Sequence, residues 1–302
     1  MKACAVVDSD LRSITPEWIQ LLIGPILYQD FDFTCPYYFR HKYDATITNS
    51  IVYPFTTALY GQDIHQPIGG EFGFSGKLAE IYLQDEVWET DIAYYGIDIF
   101  MSTVALAGGF RVCQAFLGAK LHDPKDPAFS LGPMFKQVVG TMFDLAKKKQ
   151  KIWLKIKGKQ KPKTFGFISE VIPEPFEVNK EALRVEFRER FLKEKDLIKK
   201  ILTKENYRHL EDLNFGGKIP IPPSLWTKIV YDFALVYNKK NPKDKPKILE
   251  ALLPLYFGRT ISFIEETKRM SAWGAERKIK ALASLFCQEK PYFVKRWRKE
   301  MK

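Results

Sequence analysis

The sequence predicts an α/β region followed by a mostly helical region. Two observations predict this order. Before about residue 145, short apolar runs end abruptly at acidic, proline or glycine residues, as buried strands do, and amphipathic helical stretches lie between them. From about residue 176 onward, charged and apolar residues alternate at helical spacing instead. A lysine-rich stretch separates the two, so the expected division is residues 1–145, a basic linker over 146–175, and a helical region over 176–302.

Taken in order, Ala5-Val6-Val7 reads as a buried strand that stops at the acidic turn Asp8-Ser9-Asp10. A helix follows, with Thr15 as N-cap, Pro16 at the first helical position and Glu17 complementing the dipole; Trp18, Leu21, Leu22 and Ile26 share one face. Asp32 to Cys35 reads as a strand ended by Pro36. Ile47 to Gly61 reads as a helix interrupted at Pro54. Gln66 to Ser75 is glycine-rich, too flexible for a helix, and suited to wrapping closely around a ligand. Ile97 to Ala107 is an apolar helix and Arg111 to Ala119 a strand, after which His122 opens a Pro/Asp-rich loop. In the C-terminal part, Phe187 to Leu202, Ser224 to Tyr237, Lys247 to Phe257 and Ile261 to Thr267 have helical periodicity.

Composition narrows the function. The chain has 302 residues, of which 46% are hydrophobic and 14% aromatic, enough for a sizeable core. It contains no apolar run of membrane-spanning length, and Met1 to Asp10 lacks the pattern of a signal peptide. The cysteines, Cys4, Cys35, Cys113 and Cys287, form no CxxC pair, which argues against a zinc site and points to a reducing, cytoplasmic compartment. The net charge is +11, and nine lysines with no acidic residue fall between Lys147 and Lys163. A solvated linker is the first reading of that segment, and a membrane-surface stripe the weaker alternative. Aromatic stacking platforms and grouped arginines are missing around it, so nucleic acid is not an expected partner.

Asp8 and Asp10 follow a buried strand, and open α/β sheets place ligands at the carboxyl ends of their strands. Two crowded carboxylates there call for a cation, and a hard divalent ion bridging a diphosphate is the natural one. It would neutralise charge developing on a nucleoside-diphosphate leaving group. Taken alone, the pair reads more simply as helix capping and solvation. The context, with His122 in a loop past a strand and two further motifs between, favours one enzyme site.

The order Asp8-Ser9-Asp10, Gly69-Gly70-Glu71-Phe72, Tyr95-Gly96-Ile97-Asp98 and His122 resembles glycosyltransferases of the GT-A fold, notably the mannosylglycerate synthases and glucosyl-phosphoglycerate synthases. Leu253-Pro254-Leu255-Tyr256-Phe257-Gly258-Arg259 is similar to the helical C-terminal part of that group. The resemblance covers most of the chain and is strongest over residues 5–145. It implies a nucleotide-sugar donor, a hydroxyl acceptor that could be small and acidic, and a divalent metal, Mn2+ or Mg2+. It implies that Asp8 and Asp10 hold metal and donor, with His122 as third ligand. Gly69, Gly70 and Glu71 would lie beside the donor sugar, and Glu71 would accept from its hydroxyls. Asp98 would be the base in an inverting enzyme or an orienting group in a retaining one. Tyr95 and Arg259 would contact the acceptor.

In that family a complete nucleotide-binding half precedes the DxD, whereas only seven residues precede Asp8 here. The expectation is therefore a truncated GT-A-like sheet domain, a fragment whose missing half a companion chain could supply. The alternatives are a non-catalytic remnant or partner subunit that completes its sheet with another chain, and, more weakly, a nucleotidyltransferase.

Overall fold

The computed structural model describes residues 1–121, 127–167, 178–213 and 221–301. Five strands form one open mixed sheet in the order β1-β3-β2-β4-β5. They are β1 (Ala3–Val6), β2 (Phe33–Phe39), β3 (Phe72–Ser75), β4 (Val112–Ala119) and β5 (Thr164–Phe165). β3 runs antiparallel to both β1 and β2, whereas β2, β4 and β5 run parallel to one another. The carboxyl ends of β1, β2 and β4 and the start of β3 therefore share one rim of the sheet.

Helix α1 (Pro16–Tyr28) packs on one face through Trp18, Leu22 and Pro25. Thr15 occupies its N-cap position, but its hydroxyl makes no cap bond; it hydrogen-bonds the Glu17 carboxylate instead. After β2, a π-helical turn over Thr48–Val52 leads into α2 (Tyr53–Tyr60), and Gly61 ends it at φ 70°. Pro54 thus directly follows the π-helical turn, and the Ser50 carbonyl, four residues before it, accepts from the Trp226 indole N–H at 2.6 Å. Helices α3 (Gly76–Leu83) and α4 (Ile97–Ala107) complete this part.

Three sequence expectations change here. β2 continues through Pro36 to Phe39, with Pro36 opposite Ala115. Pairing of β2 with β3 covers only Phe33 and Thr34, so beyond them no ladder donor is needed on that side. The glycine-rich stretch ends in β3, a strand between β1 and β2. The lysine-rich segment is also structured: α6 (Gln150–Trp153) and the strand β5 lie within it.

The remainder is helical: α5 (Pro127–Lys148), α7 (Lys180–Ile201), α8 (Lys204–Asp212), α9 (Pro223–Lys239), α10 (Lys245–Thr267) and α11 (Ala272–Glu300), of which the periodicity marked stretches of α7, α9 and α10. Asn179, Thr203 and Ser271 cap α7, α8 and α11 through their side chains. α10 is continuous where two helices were expected, because Gly258-Arg259-Thr260 does not break it. Gly258 lets α7 approach: a Cβ there would lie 2.7 Å from Ile221 and 2.9 Å from the Phe187 ring. Among the described residues no helix is long and apolar enough to cross a membrane.

One hydrophobic cluster runs from Phe33 on the sheet to Trp297 on α11. Its aromatic centre is Phe293, stacked on Trp153 at 5.3 Å and on Tyr231 at 4.7 Å, with Trp297 edge-on at 5.2 Å. Trp153 is fully buried and its indole N–H donates to the Ala146 carbonyl at 2.7 Å. We expect Trp153→Ala to lower stability by about 3–5 kcal/mol, read from the shift of a denaturant midpoint; a change under about 1 kcal/mol would show that this stack is not part of the cooperative core.

Candidate active site

Three parallel strands, β1, β2 and β4, each deliver a polar residue to the shared rim. Asp8 and Asp10 follow β1, Arg40 follows β2 and Lys120 follows β4, while Gly69-Gly70-Glu71 leads into β3. The first turn of α4 adds Asp98. Together they surround a cleft of about 370 Å³ lined by Asp8, Asp10, Arg40, Gly69, Gly70, Tyr95, Asp98 and Lys120, among others. This is where an open sheet of this kind leaves room for a ligand.

Lys120, which sequence reasoning missed, organises the site. Its ammonium is buried and donates to Asp8 Oδ2 at 2.7 Å, to the Gly69 carbonyl at 2.8 Å and to Glu71 Oε1 and Oε2 at 2.8 and 3.1 Å. The Tyr38 hydroxyl also donates to Glu71 Oε2. Glu71 is 0% exposed, so its carboxylate is enclosed by Lys120 and Tyr38 and does not face the cleft. The sequence signal for Lys120 was a lone lysine after an apolar strand, which is indistinguishable from a solvated strand end until its partners are known.

The two glycines are required by close approach. Gly70 has φ 86°, and a Cβ there would lie 2.1 Å from Asp8 Oδ2. A Cβ on Gly69 would lie 2.2 Å from Pro36 Cγ. This packing lets the backbone amide of Gly70 donate to the Asp98 carboxylate.

Charge is unevenly balanced around Lys120. Burial, with Asp8 and Asp98 nearby, pushes Glu71 up to about 8 against the opposing pull of Lys120. Burial and the Asp8 charge push Asp98 up to about 7, opposed by Lys120 and the Gly70 amide. Asp98 therefore titrates close to neutrality, where a carboxylate is best poised to take up a proton.

The remaining sequence candidates, Tyr95, Arg259 and His122, and the basic residues that follow β2 fall in different places. Tyr95 sits at the rim with Tyr94, 47% and 69% exposed, and its backbone amide is held by Gln137 at 3.1 Å. Arg40 lies 3.5 Å from Asp44, and its buried Nε makes no hydrogen bond. Lys42, beside it in sequence, turns away to the Thr267 and Met270 carbonyls. Arg259 is not brought to this cleft: it is buried on α10, bonded to Glu266 at 2.6 and 2.9 Å and to the Ile221 carbonyl at 2.8 Å. His122 lies outside the described residues.

Among the described residues no group of three or more His, Cys, Asp or Glu side chains is disposed to hold a metal ion. Asp8, 44% exposed, and the exposed Asp10 do offer carboxylate oxygens to the same cleft. That donor set fits a hard cation such as Mg2+, which usually takes one or two protein carboxylates and fills its shell with ligand phosphates and water.

We expect Gly70→Ala to displace Asp8 and so weaken ligand binding in the cleft at least about tenfold, the strained φ adding of order 1–3 kcal/mol in lost stability; titration calorimetry against an unchanged affinity would contradict the close-approach account. The raised group also fixes a pH dependence. Because Asp98 binds its proton more tightly folded than unfolded, its ionisation costs stability as pH rises from about 4 through about 7. Asp98→Asn removes that cost, so the variant's melting temperature relative to wild type should climb over this window and level off above it. A flat difference would mean that Asp98 is not held in this environment.

No protein-family model matches the chain, and no curated protein matches it. Solved structures match in part. A mycobacterial protein is 23% identical with TM-score 0.39, over 48% of this chain and 47% of its own. Glucosyl-3-phosphoglycerate synthase from Mycobacterium tuberculosis, in complex with Mn2+, UDP-glucose and phosphoglyceric acid, is 22% identical with TM-score 0.38, over 48% and 50%. Its complex with phosphoglyceric acid alone gives 21% and 0.34 over the same shares. The match spans about half the length of each of these proteins, and similarity of this extent assigns neither a family nor an activity to this chain.

Proposed function

We propose that the chain binds a nucleoside-diphosphate sugar together with a divalent cation and transfers the hexose to a hydroxyl acceptor. One observation carries this reading: Asp8, Asp10, Asp98 and the buried Lys120 converge in a single cleft at the carboxyl ends of parallel strands. Asp8 and Asp10 hold the cation, with His122 a further ligand in sequence reach; when bound, the ion neutralises charge on the diphosphate leaving group. Lys120 places a fixed positive charge beside it, already desolvated and oriented, where such charges act most strongly. Glu71 and Tyr38 hold that ammonium in place, so Glu71 serves the donor through Lys120 and not by touching the sugar. Gly69 and Gly70 keep the wall thin enough for the donor to approach.

Transfer breaks the bond between the anomeric carbon and the diphosphate oxygen and forms one to the acceptor oxygen. In an inverting course the acceptor proton passes to the Asp98 carboxylate; in a retaining course Asp98 orients the reactants and the proton passes to the departing diphosphate oxygen. Tyr94 and Tyr95 offer ring faces to a sugar at the rim. Arg40, with Thr46 and Thr48 beside it in the cleft lining, offers cationic and hydroxyl contacts to a small acidic acceptor.

A second reading rests on a different observation. Val6 and Val7 are 38% and 40% exposed, and among the described residues no strand pairs with the outer edge of β1. A companion chain could complete the sheet there, and light scattering of the purified chain would show the resulting assembly.

The test is a thermal-shift titration with GDP, UDP and their sugar conjugates, each with and without manganese. A ligand at about a hundred times its dissociation constant should stabilise by about 2.7 kcal/mol. We expect a metal-dependent shift for one nucleotide, lost in Asp8→Asn/Asp10→Asn and restored to no extent by excess manganese. A full shift or sugar transfer in that double variant would sink the assignment of the cation.

A further inference from the structure

The strongest charge concentration on the molecule lies away from the cleft. The nine lysines of residues 147–163 are not strung along a free linker, because buried aromatic contacts fix their segment. The Trp153 ring packs against Phe293 and edge-on against Trp297, both on α11, at 5.3 Å each. The Trp297 indole N–H donates to Gln150 Oε1 at 2.9 Å, which ties α6 to the last turns of α11, where Arg298 and Lys299 stand exposed. Lys147 donates to the Asn238 carbonyl at 2.9 Å, bringing in the end of α9 with Lys239 and Lys240. Three helix ends that carry basic residues thus meet on one face.

Among the described residues little acidic charge opposes them. Glu300 is taken by Lys239 at 2.9 Å and by Arg296 at 3.1 Å, and Asp144 by Lys245 and Tyr237. Among the described residues no ion pair joins Lys148, Lys151, Lys155, Lys157, Arg298 or Lys299 to an acidic side chain, and all six are exposed. Lysines and arginines at helix C-termini are partly explained by the helix dipole. That account does not reach Lys155 and Lys157, which lie beyond the end of α6.

We propose that this face docks the protein on an anionic lipid bilayer. The details favour lipid over nucleic acid. Trp153, Phe293 and Trp297 are buried against one another, so none offers a ring for base stacking. The cations are mostly lysines, point charges suited to a diffuse anionic surface, with few of the arginine forks that grip phosphates bidentately. Ile152 is 37% exposed among them and offers an apolar contact to the acyl boundary. None of these residues lines the cleft, so the face and the proposed transfer site can act at once.

The experiment is co-sedimentation of the whole chain with two kinds of vesicle, phosphatidylcholine alone and phosphatidylcholine containing phosphatidylserine. We expect sedimentation with the anionic vesicles only, and release as salt is raised from about 0.1 M to about 1 M, where screening shortens from roughly 10 to roughly 3 Å. Lys148→Glu/Lys151→Glu/Lys155→Glu/Lys157→Glu should weaken partitioning by more than about tenfold while melting as wild type does. Equal binding to both vesicles, binding that resists salt, or an unchanged partition in a folded variant overturns the proposal. So does binding of the wild type to a single-stranded or duplex oligonucleotide without binding to vesicles. The wild-type lipid and salt dependence decides the matter even if the quadruple variant fails to fold. A vesicle result leaves the nucleotide titration untouched, so the two proposals fail separately.

Discussion

The Lys120 ammonium is buried at the end of a strand, and the geometry of the cleft depends on how that charge is accommodated. An unpartnered charge in the interior is prohibitively costly, so the surrounding chain has to supply acceptors. It does so from two segments, Asp8 after β1 and the Gly69 carbonyl with Glu71 before β3, both meeting the end of β4. No covalent link joins these segments. The ammonium pulls them together, and the requirement for glycine at 70 follows, since a Cβ there would run into the Asp8 carboxylate; glycine at 69 answers to Pro36 of β2 instead. Burial raises Glu71 and Asp98, and the neighbouring carboxylates add to it against the opposing pull of Lys120.

The sheet in turn leans on the helical region. α2 lies against α11, and the core passes between them without a break. Lys290 of α11 reaches across to the Leu59 and Ile156 carbonyls, at 3.2 and 3.0 Å, and burial pushes its ammonium down to about 8. His65, in the loop before β3, packs between the rings of Tyr37 and Tyr53 and meets Glu276 of α11 at 3.1 Å. Helix and sheet are therefore locked by polar contacts as well as by apolar burial, and the lysine-rich segment is held by the same aromatic centre that anchors α11.

Some of the site was legible because its residues sit at boundaries. Asp8 and Asp10 end an apolar run, Gly69 and Gly70 interrupt periodicity, and Asp98 opens an apolar helix; each stands out locally, and the structure brings them to one cleft. Lys120 and Tyr38 did not stand out, since their roles consist entirely of contacts with residues distant in sequence. Arg259 entered through the resemblance alone, and its burial between Glu266 and the Ile221 carbonyl is likewise a matter of contacts that no local pattern announces. β3 was hidden because its Phe-Gly-Phe-Ser alternation is only four residues long and closes a glycine-rich stretch, and only neighbours on both sides make it a strand.

What the sequence by itself determined is the alternation of a strand-bearing region with a helical one, and the positions of the acidic turn, the glycines and the basic segment. Those features are local, set by hydrophobic period and by backbone freedom. Only the tertiary structure decided how the carboxylates around the buried Lys120 divide, because Asp8 bonds it while still exposed to the cleft and Glu71 bonds it fully buried. It decided too that the lysines form a fixed face, since that depends on Trp153 meeting Phe293 and Trp297 across the chain. Burial and charge pairing are properties of distant residues brought together, and no local pattern encodes them.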